Sequence, residues 1–135
     1  MYFLVHGVED FSPITNWNVS NVTNMENLFT NCKIDNLGPI SNWDVSKVTN
    51  MQAMFNGCSI KDLDAVSGWN VSNVTNMDYM FSNCISLTNT SGINNWDITK
   101  VTNFNGMFSG CPTHPEFTKV TGTWDRNGTF TPTTK

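Results

Sequence analysis

The 135 residues carry 7 Lys or Arg against 11 Asp or Glu, and the resulting charge of −4 with a pI near 4.8 gives no electrostatic case for nucleic acid or an anionic membrane. Charged residues make up 13% of the chain, below the roughly 25% usual for soluble domains, so Asn, Ser and Thr carry the surface instead. The length is that of one domain, and no apolar run approaches the ~20 residues that span a bilayer.

At the N-terminus, the stretch from Met1 to Gly7 is too short for a signal peptide and lacks a basic start. If the protein is exported, its signal or anchor is therefore expected outside this chain. Tyr2-Phe3-Leu4-Val5 reads as a strand covering the open end of a stack. Val8, Phe11 and Ile14 then lie nine, six and three residues before Trp17. The same rhythm precedes Trp43, as Ile34, Leu37 and Ile40, and Trp69, as Ile60, Leu63 and Val66. Before Trp96 it reads Leu87, Thr90 and Ile93, with one polar substitution. Residues 8–16 are thus the tail of a repeat whose head is missing.

From Trp17 the segment Trp-Asn-Val-Ser-Asn-Val-Thr-Asn-Met appears, and it returns in close variants from Trp43, Trp69 and Trp96. Tryptophans at 17, 43, 69, 96 and 124 give steps of 26, 26, 27 and 28 residues, and cysteines at 32, 58, 84 and 111 keep pace. A fixed period of this size is the signature of units that stack on their neighbours. Trp17 and Val19 share one face of an extended segment, with Asn16, Asn18 and Ser20 on the other. Val22, Met25, Leu28, Phe29 and Cys32 follow at helical spacing. Thr23 and Glu26 fit a capping box, repeated by Thr49 with Gln52 and more weakly by Thr75 with Asp78 and Thr102 with Asn105. A two-turn helix is expected to stop at Asn31, Gly57, Asn83 and Gly110, types that tolerate left-handed backbone.

After Cys111, Pro112, His114 and Pro115 rule out regular structure. Asn127-Gly128 between strand-like residues signals a hairpin, so residues 119–131 read as a C-terminal cap and 132–135 as frayed.

The segment Ile14-x-x-Trp17-x-Val19-x-x-Val22 resembles a leucine-rich repeat, with Val22 where that family has Asn or Cys. More specifically, Trp-Asn/Asp-Val-Ser-Asn/Lys-Val-Thr-Asn-Met-x-x-Met-Phe-x-Gly/Asn-Cys is similar to the 26-residue bacterial surface repeat of the BspA-like group, the DUF285 type, over residues 17–123. The resemblance implies a surface, often adhesive, role and carries over no catalytic residue. The expected fold class is α/β: a leucine-rich-repeat-like right-handed solenoid with one short parallel strand and one short helix in each 26–28-residue coil, capped at both ends. A single domain over 1–135 would comprise an N-terminal cap and partial repeat (1–16), repeats at 17–42, 43–68, 69–95 and 96–123, and a C-terminal cap (124–135).

The candidate chemistry is thin. Four cysteines allow two disulfides. As equivalent positions on coils roughly 8–10 Å apart, however, they exceed the ~7 Å Cα limit for a bridge, and free buried thiols are expected. No C-x₂₋₄-C pair supports zinc. His6 and His114 lie near opposite ends and read as ordinary surface or cap residues. The tryptophans could form a platform for sugars, but their register with Val19, Val45, Val71 and Ile98 turns them inward, where each indole N–H needs an acceptor such as a neighbouring coil's carbonyl or an amide. The ladder Thr23, Thr49, Thr75 and Thr102 invites an ice-binding reading, which its capping context makes unnecessary. Six Asn-x-Ser/Thr sequons, at Asn18, Asn21, Asn70, Asn73, Asn89 and Asn127, arise largely from the repeat itself.

The outward row of Asn16, Asn18, Asn42, Asp44, Asn70, Asn95 and Asp97, with its Ser and Thr neighbours, is the candidate ligand-binding face. It would present a flat polar lattice at about 4.8 Å spacing to a glycan or protein, or else be a solvated surface whose groups bond one another between coils. Asp44 and Asp97 lie two coils apart, which argues against a shared calcium site. No nucleophile–base pair, phosphate loop or metal cluster points to an enzyme, and no cofactor is expected. The functional expectation is a non-enzymatic, adhesin-like module at the cell surface or secreted, recognising a host or prey cell's protein or glycan through this row. The alternative is a structural spacer or fibre segment with no ligand of its own. Changing surface positions on a fixed skeleton motivate the first: Asn27, Ala53, Tyr79 and Gly106 at one position, Asn21, Lys47, Asn73 and Lys100 at another.

Overall fold

The structure is a computed structural model that describes residues 11–133. The strand expected at Tyr2-Phe3-Leu4-Val5, together with His6, Val8 and the last two residues of the tail, lies outside the described residues.

Spacing by three dominates the backbone. Ile14, Trp17, Val22, Leu28, Cys32, Ile40 and Trp43 each donate an N–H to the carbonyl of the inward residue three positions earlier. A chain turning every three residues brings i and i+3 onto the same side, so the apolar rhythm marks the closing residues of successive turns. Four short 3-10 segments result, Ser12–Asn16, Gly38–Ile40, Asp64–Val66 and Ser91–Ile93. Beyond these, regular structure among the described residues is one antiparallel pair, β1 (Gly122–Trp124) and β2 (Phe130–Pro132).

This corrects the expected fold class. No α-helix forms over residues 23–31 or their equivalents, and no strand over 17–20 or theirs. The leucine-rich-repeat-like right-handed solenoid with a parallel strand and a helix in each coil is therefore not what this chain builds. The reason lies in the backbone. Asn27, Asn31, Ala53, Tyr79 and Asn83 have φ between 55° and 61°, and Gly57, Gly106 and Gly110 are also positive. A left-handed residue stands third in the turns closed by Leu28 and Cys32, as a type II turn requires, and it interrupts any α-helix.

Every N–H from Met25 to Cys32 is accounted for. Those of Leu28, Thr30 and Cys32 close turns, and that of Glu26 goes to the Asn24 side chain. Those of Met25, Asn27, Phe29 and Asn31 reach the carbonyls of Asn50, Gln52, Met54 and Asn56 in the next copy, at 2.7–2.9 Å. The same four bonds cross the two following junctions, from Met51, Ala53, Phe55 and Gly57 and from Met77, Tyr79, Phe81 and Asn83. Successive copies are thereby tied into a column, with isolated parallel bridges at Asn24–Asn50, Asn50–Asn76, Asn76–Asn103 and Asp62–Asn89.

Inside the column Phe29, Phe55, Phe81 and Phe108 stack at 5.2–5.5 Å. Trp43, Trp69 and Trp96 are buried beside them, with the thiols of Cys58, Cys84 and Cys111 on the carbonyls of Phe29, Phe55 and Phe81. Burying large apolar side chains at roughly 1.5–3 kcal/mol each is the main force holding the copies together. The aromatic file ends on Phe11 at one side and on Trp124 at the other, both edge-on.

The hairpin expected from Asn127-Gly128 forms between β1 and β2 and closes the column. Gly128 takes φ 72° and lies so close to the Phe108–Ser109 backbone that a side chain has no room. Its carbonyl accepts the Phe108 N–H at 3.1 Å, while the Thr129 hydroxyl accepts that of Gly106 at 2.9 Å. Two donors that a further copy would satisfy are met by the cap.

Candidate binding surface

All seven residues of the polar row are exposed. They do not sit on a β-sheet, so the flat lattice at strand spacing is absent, and their contacts are local. Asn18 Oδ1 accepts the Ser20 hydroxyl and N–H, Asp44 Oδ1 those of Ser46, and Asp97 Oδ1 those of Thr99, with the hydroxyl at 2.6 Å in each case. Asn70 accepts the Ser72 N–H. These bonds stay within one copy, whereas the sequence suggested bonding between copies. Asn95 accepts the Thr118 hydroxyl, so the C-terminal segment reaches that end of the row. Asn16 and Asn42 make no side-chain hydrogen bond among the described residues.

The Ser46 hydroxyl and N–H hold the Asp44 carboxyl below its ordinary range, with Lys47 adding to the effect. Thr99 does the same for Asp97, helped by Lys119 and Lys100. Both are carboxylates at neutral pH. The row is thus a line of amide and carboxylate groups, each fixed by a turn, able to accept and donate hydrogen bonds to a polar partner.

Bonds between copies fall one position away. Lys47 Nζ donates to Asn21 at 2.9 Å, Lys100 to Asn73 at 3.1 Å, and Asn73 to the Ser46 carbonyl at 2.7 Å. Asn50 Nδ2 meets Glu26, Asn76 meets Gln52 and Asn103 meets Asp78. The expected capping box is replaced accordingly. Asn24, Asn50 and Asn76 hold the N–H two residues on, while Glu26 reaches forward to the next copy. The threonine ladder is occupied too, since the hydroxyls of Thr49, Thr75 and Thr102 donate to the carbonyls of Thr23, Thr49 and Thr75.

The inward tryptophans find backbone acceptors in the preceding copy. Trp43 donates to Ile14, Trp69 to Ile40 and Trp96 to Val66, at 3.0–3.1 Å. The four cysteines are free, three of them buried and Cys111 partly so. Burial pushes the Cys58 thiol up to about 12. Cys84 is raised as well, by its contact with Cys111 and by burial. His114 stacks on Trp124 at 4.8 Å with Glu116 3.6 Å away, and the described residues hold no cluster that could bind a metal ion.

Two polar recesses lie among the return segments, where the sequence reading did not place a site. One, of about 310 Å³, is bounded by residues 88–91 and Asn94 on one wall and by Thr113, His114 and Glu116 on the other. Its counterpart, of about 250 Å³, lies between Asp35, Asn36, Leu37, Lys61, Asp62 and Ala65. The one sequence signal was Thr90, which breaks the apolar rhythm.

A family model described as "Mycoplasma protein of unknown function, DUF285" matches residues 1–124. No curated protein and no solved structure matches the chain.

Proposed function

The chain belongs to the DUF285 family, and on that footing we propose that it is a non-enzymatic binding module of the BspA-like surface-repeat type. It works at the cell surface or secreted, and it recognises a protein or glycan of another cell through Asn16, Asn18, Asn42, Asp44, Asn70, Asn95 and Asp97. The observation that supports this is the division of labour between buried and exposed positions. The buried Trp, Val, Met and Phe recur from copy to copy, while the exposed position beside the row changes between Asn21, Lys47, Asn73 and Lys100; the other variable position is buried at Ala53 and Gly106. Turn-fixed acceptors lose little freedom on meeting a partner, which favours recognition over a floppy surface.

The test is a glycan array together with a pull-down from host-cell surface protein. Binding that drops when Asn42, Asp44, Asn95 and Asp97 become Ala supports the proposal. Silence in both assays from folded protein removes it.

A spacer role is favoured by a different feature, the backbone bonds that run in both directions across each junction between copies and tie the column together. Full activity of a longer parent protein carrying the same four alanines would select that role.

A further inference from the structure

Thr90 occupies a core position. Its counterparts, Leu37 and Leu63, are 2% and 0% exposed, and Thr90 itself is 4% exposed. A buried hydroxyl needs a partner, or it carries the cost of desolvation. The Thr90 hydroxyl makes no cap bond to its own Ser91–Ile93 segment and no side-chain bond elsewhere among the described residues, and it is not sealed off as the Trp124 N–H is, so its partner has to come from solvent or a ligand. It does line the 310 Å³ recess, whereas Leu37 lines the counterpart. The one copy with a polar residue at this position is the one facing the C-terminal segment.

The remaining walls suit one ligand chemistry. Thr88 and Thr113 bring hydroxyls, Asn94 an amide, Glu116 a carboxylate, and His114 an imidazole backed by Trp124. Asn94 Oδ1 already holds the Glu116 N–H at 2.9 Å, which ties the two walls together and leaves the amide nitrogen as a donor. The volume is at the lower end of the ~300–1,000 Å³ of small-molecule sites. Glu116 and a net charge of −4 disfavour an anion. A neutral ring bearing several hydroxyls can donate to Glu116 and both donate to and accept from the threonines.

We propose that this recess is a binding site for a single neutral sugar unit, with Thr90 as its buried hydrogen-bonding contact. The site is separate from the polar row and does not depend on it.

The experiment is an amide-resonance titration of the whole chain with methyl α-glucoside, methyl α-mannoside, methyl β-galactoside and N-acetylglucosamine. At least one is expected to shift residues 88–94 and 113–116 at roughly millimolar affinity. Thr90→Val keeps shape and removes the hydroxyl, so the fold is retained while affinity falls about fivefold or more. Glu116→Gln weakens binding through an exposed group that cannot unfold the core, and Asp35→Ala, in the counterpart recess, leaves it unchanged. No shift with any of the four sugars up to tens of millimolar overturns the proposal. So does a Thr90→Val protein that binds as the parent does.

Discussion

The indole N–H of Trp69 donates to the carbonyl of Ile40, 29 residues earlier, at 3.1 Å in the buried interior. Trp43 and Trp96 repeat the relationship, but the Trp124 N–H is buried without a partner. Replacing Trp69 by Phe removes a buried hydrogen bond, although the Ile40 carbonyl still accepts the Trp43 N–H, and is expected to cost about 0.5–1.5 kcal/mol for the bond on top of the loss from the smaller ring. Replacing Trp124 by Phe removes an orphaned donor and is expected to fall within about 1 kcal/mol of neutral. Urea denaturation of the two variants checks the contrast, and equal losses would contradict it.

Asn50 holds the Gln52 N–H and donates to Glu26 in the preceding copy, from a half-buried position. Asn50→Ala is expected to lose about 1–2 kcal/mol. Asn18→Ala breaks a similar turn bond in full solvent, where water substitutes, and should stay within about 0.5 kcal/mol of the parent. Thermal midpoints measured side by side decide whether burial is what separates them.

Gly57 has φ 78°, and a methyl group there would collide with the Asn31 amide. Gly57→Ala should lose about 1–2 kcal/mol from the backbone alone, plus the cost of the collision. Ala53 already tolerates φ 55°, so the variant still folds. Introducing Asn31→Gly alongside removes the obstacle, and a double-mutant cycle should recover the collision part only. A cycle that sums to zero coupling would refute this.

Cys58 is raised from 9.0 to about 12 by burial, so the folded state holds this proton more tightly than the unfolded one. Its contribution is therefore fully present below about pH 9 and is lost as pH rises through about 12. Cys58→Ala lacks this term. Its urea midpoint should lie below that of the parent at pH 7, and the gap should narrow above pH 9. A gap constant to pH 11 would speak against the assignment.

The spacing of the copies, the inward Trp43, Trp69 and Trp96 with carbonyl partners, the free thiols and the closing hairpin were legible in the sequence, whereas Trp17 and Trp124 are only half-buried and Pro132, expected to fray, belongs to β2. The helix was not, and the confusion is physical. Val22, Met25 and Leu28 are spaced alike whether they line an α-helix or close consecutive turns. The discriminating signal stood two residues after each Met25-type position, where Asn27, Ala53, Tyr79 and Gly106 occupy left-handed backbone. Ala and Tyr there hid what Asn and Gly alone would have disclosed. Asn24 was overlooked because Thr23 and Glu26 made a plausible cap around it, although Asn24 is the residue that binds the backbone. Thr90 was noticed as an irregularity, but no single sequence could say which cavity it faced.

At each junction the four donors of the Met25, Asn27, Phe29 and Asn31 type point toward the later copy, against two of the Thr49 and Asn50 type that point back to the Thr23-type carbonyl. The column is therefore vectorial, with an amide-rich end under the hairpin and a carbonyl-rich end at Asn24. Extra units spliced into its middle would leave both ends as they are. The hairpin that meets donors of the amide-rich end therefore also stops the column from being extended there.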